Sequence, residues 1–450
     1  MSVNTANRDY QKMAHLLRRA GFGANQQEIE AGMQKGLEAT IQALVYATPE
    51  PESSSESQEL DFRNFSDLQT WWLRRMGHTP HPLQEKMTLF WHGHFATAYA
   101  KVKEPNLMLR QNQLLRHHAL GNFQAFTQAV SKDPAMILYL DNQTNRKGHP
   151  NENYARELFE LFTLGIGNYT EQDIKEAARA FTGWTYNPST QEFYFAQNQH
   201  DDDPKTVFGK TGNWNGEEIV DMAVHQPACA TFVCTKLFKF FVHDNPKPKE
   251  IKPFADLFVH SNYALKPVLE AMFHSTAFYS EKAMWGKLKS PVEFVVGAIR
   301  TTQAQLPARF APQALRAMGQ EPFNPPSVKG WDGGTTWINT TTLLTRFNFT
   351  MQLARLSAES QPLLQAVTEQ ISQHQLKSPE AVVDYVTAQI LQRPVSPKTR
   401  STLLAYLQTG QDGMPHPLPF MVSSRPDDPL IQKIQGLIHV TLLTPEYQLC

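Results

Sequence analysis

Apolar residues recur at helical spacing over most of this chain. In DYQKMAHLLRRAGFGA (9–24), Met13, Leu16 and Leu17 share one face, and Gly21 and Gly23 stop the run. From Phe65 to about Leu140 the pattern is again helical, with a break near Gly77–Pro82 and a dense apolar stretch in EKMTLFWHGHF. Pro150 cannot continue a helix from residue 149, so the next one starts beyond it, with Asn151 or Asn153 placed to cap and Gly165 to end it. Thr170-x-x-Asp173 has capping-box spacing, Ile174, Ala177, Ala178 and Phe181 form the apolar face behind it, and Gly183 stops the run.

The periodicity changes at 184–215. There aromatic and polar residues alternate between Asn-Pro and Gly turn formers, which predicts a β-hairpin or a long ordered loop. Helical spacing resumes at Glu217, runs with breaks to about Ala304, and returns in the C-terminal third. Two segments read as loops: the Ser/Glu-rich stretch 48–61 and the Pro/Gly/Trp-rich stretch 322–344. The predicted fold is mainly α, a large multi-helical body with a small hairpin or loop insertion around 184–215. Residues 1–450 form one domain, because the helices before 48–61 are too few to bury a core of their own.

Composition narrows the function classes. A net charge of −1 and a pI near 7.0 give no global field for nucleic acid or an anionic membrane. No window of 18 uninterrupted apolar residues exists, so no transmembrane helix is expected. The N-terminal residues lack a charged segment followed by an apolar one, and three cysteines make a poor disulfide framework. Both point to a reduced, cytoplasmic protein.

Three clusters carry candidate chemistry. In NENYARELFELFTLG (151–165), Asn153, Glu157 and Glu160 fall at i, i+4 and i+7 on one helical stripe. Two carboxylates a turn apart can clasp a hard divalent cation. Equally, the stripe can be a solvated face, with Asn153 capping, Glu152 paired to Arg156 and Arg156 reaching Glu160. In FWHGHF (90–95), His92 and His94 can share Zn or Fe if Gly93 lets the segment extend; in a helix the rings point roughly 200° apart. HDDDPK (200–205) places His200 and Asp201 beside Lys205, either as hard-cation ligands and an anion-neutralising lysine or as a solvated loop. Trp331 and Asp332, in VKGWDGGTTW, can line a cleft for a flat ligand or plug a helix junction. No G-x-S-x-G elbow and no phosphate-loop glycine pattern occur.

Four segments together carry a likeness: HLLRRAGFGA (15–24), NENYARELFELFTLGIGNYTEQDIKEAARAFTGW (151–184), KSPVEFVVGAIR (289–300) and PPSVKGWDGGTTWINTTTLLTRFNF (325–349). The chain resembles the bacterial family called domain of unknown function 1800 (DUF1800), over nearly its whole length. The resemblance implies no activity, substrate or cofactor. It does imply a partner, since members often neighbour genes for a sulfatase-like (DUF1501-type) protein. Many members carry export signals, which this sequence does not show.

Two functions compete. One is a metal-dependent, hydrolase-like enzyme with Zn, Fe or Mn held by His92, His94, Glu157, Glu160 and Asp201. In it Arg156, Glu157 and Lys205 act on a substrate contacted by Asn153, His200, Trp331 and Asp332. The other is a non-catalytic helical protein that binds or stabilises the sulfatase-like partner. Convergence of the clusters on one point favours the first, and dispersal the second.

Overall fold

The computed structural model describes residues 5–48, 60–409 and 428–450. Helices dominate, and the only strands described form two antiparallel hairpins, Trp184–Asn187 with Glu192–Phe195 and Lys205–Val207 with Lys210–Gly212. The 184–215 insertion is therefore strand-bearing, as the alternation predicts. Most of the polar loop predicted at 48–61 lies outside the described residues. No described helix is long and apolar enough to cross a membrane.

Local sequence signals account for many helix ends. The 9–24 pattern folds as Arg8–Arg19, capped by Asn7. Thr170 and Asp173 form the capping box of Glu171–Ala180. Ser290 and Glu293 do the same for Pro291–Thr302, with Pro291 at the first helical position, where its missing N–H costs nothing.

These helices enclose two apolar cores. The first gathers residues from Tyr10 to Ala283, centred on Trp91, Phe95, Phe123, Phe126 and Phe162. The second combines Leu68–Met76 with residues from Val292 to Tyr447. The Pro82–His94 helix belongs to both, giving Leu83, Met87 and Trp91 to the first and Leu89 to the second. Charges within this helix cross-link the body. Glu85, 1% exposed, accepts from Trp72 Nε1 at 3.0 Å and Arg75 Nε at 2.7 Å, and also from the Arg116 guanidinium. Lys86 pairs with Glu293, so the carboxylate that closes a local capping box also ties Pro291–Thr302 to the shared helix.

Candidate functional site

The Pro82–His94 helix continues through both histidines, so Gly93 does not extend the segment and the two rings leave on different sides. His92 Nε2 accepts the Phe323 backbone N–H at 3.0 Å, and its ring meets Trp72 edge-on at 5.3 Å. Burial pushes its pKa down to about 3, so it is a neutral imidazole whose acceptor nitrogen is already engaged. On the other side, His94 Nε2 donates to the Phe162 carbonyl at 3.0 Å, which leaves Nδ1 to accept from Lys236 Nζ at 3.2 Å.

The helix that carries the two glutamates explains the His94 bonds. It runs as an α-turn, Asn153–Glu157, and then widens into a π-helix, Leu158–Thr163. The C-terminal carbonyls of that widened turn need outside donors. Lys236 Nζ takes Leu161 O at 3.0 Å and His94 takes Phe162 O. No motif or spacing in the sequence points to Lys236. It lies half-buried on Pro227–Phe241, and burial lowers its amine to about 8. Its one signal is a cation inside the apolar run TFVCTKLF.

Along the stripe, the polar side chains go to separate partners. Asn153 Nδ2 donates to Leu140 O at 3.0 Å, and Asn151 Oδ1 accepts the Asn153 N–H, so Asn151 does the capping work. Arg156 makes the expected pair with Glu152 at 3.0 Å, but its second carboxylate is Glu171 at 2.8 Å, not Glu160. Glu160 instead accepts from Tyr169 OH at 2.8 Å. Glu157 is half-buried; burial, and then the Glu160 charge, raise its pKa, and it in turn helps burial raise that of Tyr139.

The acidic loop is a closed knot on the Glu171–Ala180 helix. His200 Nδ1 sits 2.8 Å from Thr182 O, and the Asp201 N–H donates to Thr182 Oγ1. Asp201 is held by Arg179 at 2.8 Å, which also binds Glu176. Burial alone would raise the Asp201 pKa, but Arg179 holds it below the usual carboxylate range. Lys205 Nζ points back to the Asp201 and Asp203 carbonyls.

The 322–344 loop packs against the end of the shared helix. The Trp331 ring lies 5.6 Å from His92, and Gly330, at φ 80°, presses its backbone onto the Gly93 carbonyl. Asp332 is exposed and paired with Lys329 at 2.7 Å. Trp331, Asp332, Thr336, Trp337 and Thr340 line an open cleft of about 650 Å³. Thr340 opens the helix Thr340–Ala354, where Thr340, Leu344 and Phe347 follow at i, i+4 and i+7. Leu343, Leu344 and Phe347 are 45%, 60% and 42% exposed, with Phe347 edge-on to the His439 ring at 4.7 Å, so a half-exposed apolar stripe follows the Thr340 rim of the cleft.

The structure thus joins Trp331 to His92, and His94 to the π-turn next to Glu160. It joins neither histidine to Glu157 or Asp201 by any described hydrogen bond or ion pair, and it gives His92 and His94 no common ligand position. Among the described residues, the one group of three or more potential ligands close enough to share an ion is Glu38, Glu270 and His274, a mostly exposed set outside all the predicted clusters. The dispersal has a simple cause. Each cluster is defined by its own local spacing, and local spacing carries no information on where three distant segments meet.

No curated protein and no solved structure matches the chain. A family model does, over residues 15–449, and its description is "Protein of unknown function (DUF1800)". With that match running from the first recognisable helix to the penultimate residue, the chain belongs to the DUF1800 family.

Proposed function

We propose that this protein is a non-catalytic helical binding protein that docks a partner on the cleft beside Trp331 and on the adjoining Leu343–Leu344–Phe347 stripe. The partner we put forward is a sulfatase-like protein of the DUF1501 type. The observation that carries this reading is the stripe itself. Three large apolar side chains on one helix, continuous with an open cleft, are an uncommon surface for a protein that works alone. The dispersal of the polar clusters adds to it, since each has a local bonding role. A cytoplasmic setting fits the three cysteines, which are free and buried.

The test is binding of the purified sulfatase-like protein by calorimetry, with wild type beside a Leu344→Asp/Phe347→Asp variant of unchanged circular dichroism. Two charges placed in an apolar contact are expected to weaken the complex about a hundredfold. An unchanged Kd in the variant, or no complex with wild type, removes the reading.

One observation favours a second reading, a metal-dependent hydrolase-like enzyme using Zn, Fe or Mn. Glu157 stands half-buried one turn from Glu160 with its pKa raised by burial, an environment suited to a general acid or a metal-neutralised pair. Elemental analysis of untagged protein is expected on this reading to give near-stoichiometric metal that disappears in Glu157→Gln. Metal-free wild type after reloading ends it.

A further inference from the structure

A second chamber, independent of the docking surface, lies between the first helix, the turn at Trp285 and the C-terminal segment. Three cations line or approach it: Arg18, Lys289 and Arg393. Arg18 is 6% exposed, and its Nε and Nη2 are buried with no hydrogen-bond partner. Its guanidinium lies 3.4 Å from the centre of the Trp285 ring, and that of Arg393 4.5 Å from the same ring. Lys289, 5% exposed, has its amine 3.4 Å from the centre of the Tyr447 ring and makes no ion pair among the described residues, with Glu293 and Cys450 acting on it only through their charge. The neighbouring Arg19 makes the contrast, since its donors are taken up by the Phe240 and Phe241 carbonyls and Cys450 Sγ. A single carboxylate, Glu446, lines the chamber. Its Oε1 accepts from Thr399 Oγ1 at 2.7 Å, and its Oε2 is buried and unpartnered.

Buried donors without acceptors are costly, and cations in excess of counter-charge are more so. The enclosed volume is about 10 Å³, the space of a single water-sized sphere. That size suits an ion little larger than a water molecule better than a tetrahedral oxyanion. We infer that the chamber is a binding site for one small monovalent anion of halide size, held by Arg18 and Lys289 with Arg393 at its edge. Such an ion supplies the acceptor that the two Arg18 nitrogens lack and adds counter-charge where Glu446 is the one carboxylate in the lining, beside the Cys450 and Glu293 charges that already act on Arg18 and Lys289. It also relieves Lys289, whose amine burial and then Arg18 otherwise push well below the usual lysine range. The site ties together two segments of the family likeness, since Arg18 belongs to 15–24 and Lys289 opens 289–300.

Bromide is the probe. Crystals of the full chain with bromide replacing all chloride should show a bromine anomalous peak in the chamber beside Arg18. In solution, moving from gluconate, which is too large to enter, to chloride at equal ionic strength should raise Tm by about 1–3 °C. Lys289→Met and Arg393→Gln should each reduce both effects, and the second, at a half-buried position, preserves folding if the first does not. A wild-type chamber without a bromine peak, an ordered water in its place, equal Tm in chloride and gluconate, or full bromide occupancy in both variants overturns the assignment.

Discussion

Replacing Glu85 with Gln is expected to lower the unfolding free energy by about 3–5 kcal/mol, the range for removing one partner of a buried ion pair. Glu85 accepts from Trp72 and from two buried arginines, Arg75 and Arg116. The neutral amide removes the buried carboxylate that both guanidiniums share and turns one acceptor oxygen into a donor. Three helices, Phe65–His78, Pro82–His94 and Pro105–His118, lose their common anchor at once. The same residue sets an acid limit. Burial would raise the Glu85 pKa, but Arg116 and Arg75 together hold it below the ordinary carboxylate range. Glu293 is likewise drawn down to about 2, against burial, by Lys86 and Arg19. Folded-state pKa values below the unfolded ones give stability that is complete above the unfolded carboxylate range and is lost as pH falls through the folded values. Wild type should therefore weaken from about pH 4 down toward pH 2, and Glu85→Gln should show a shallower loss over that window. Urea titrations of both proteins at neutral and acid pH measure this. A Glu85→Gln protein within about 1 kcal/mol of wild type at neutral pH would show that the shared carboxylate is not the anchor of the three helices.

Gly330→Ala carries the second large effect, about 3 kcal/mol of destabilisation concentrated in the 322–344 loop. Two costs combine. At φ 80° an L-side chain meets its own carbonyl, which is worth about 1–2 kcal/mol. A Cβ there would also stand 2.3 Å from the Gly93 oxygen, which is backbone inside a helix end and has little freedom to retreat. Gly148→Ala is the matched control, because Gly148 has φ 81° but nothing within 4 Å of the added atom. Gly148→Ala should cost only the backbone term, and the difference between the two variants isolates the collision. Trp331 lifts away with the loop, so Gly330→Ala should also weaken any partner bound in the cleft, while Gly148→Ala should not. Equal Tm losses in the two variants would show that the Gly93 contact yields.

The helices and their ends were legible because the signals that make them are local. Thr170 finds Asp173 three residues on, Ser290 finds Glu293, and Asn7 caps its own helix, each within one turn of backbone. The hairpin insertion was legible from alternation at 184–215, and the pair Glu152–Arg156 from its i, i+4 spacing. The family, too, could be read from the sequence, through four quoted segments. Local spacing put Asn153, Glu157 and Glu160 on one stripe of an α-helix, but the helix widens into a π-turn at Leu158, and Asn153 and Glu160 go to separate partners.

Everything that joins distant segments had to come from the tertiary structure. Gly93 stays helical and separates His92 from His94, and the groups that meet this helix end, Phe323 and Gly330, arrive from more than two hundred residues away. The carbonyls of the π-turn after Glu157 are taken by Lys236 and His94, both from distant segments. The unpartnered nitrogens of Arg18 exist only because Lys289, Trp285 and Glu446 close a chamber around them, while Arg19, identical in type and adjacent in sequence, is fully bonded. A sequence fixes which backbone groups and charges must find partners within a few residues. Which remote side chain meets them is settled by how the two cores close around the shared Pro82–His94 helix, and that closure is a property of the packed whole.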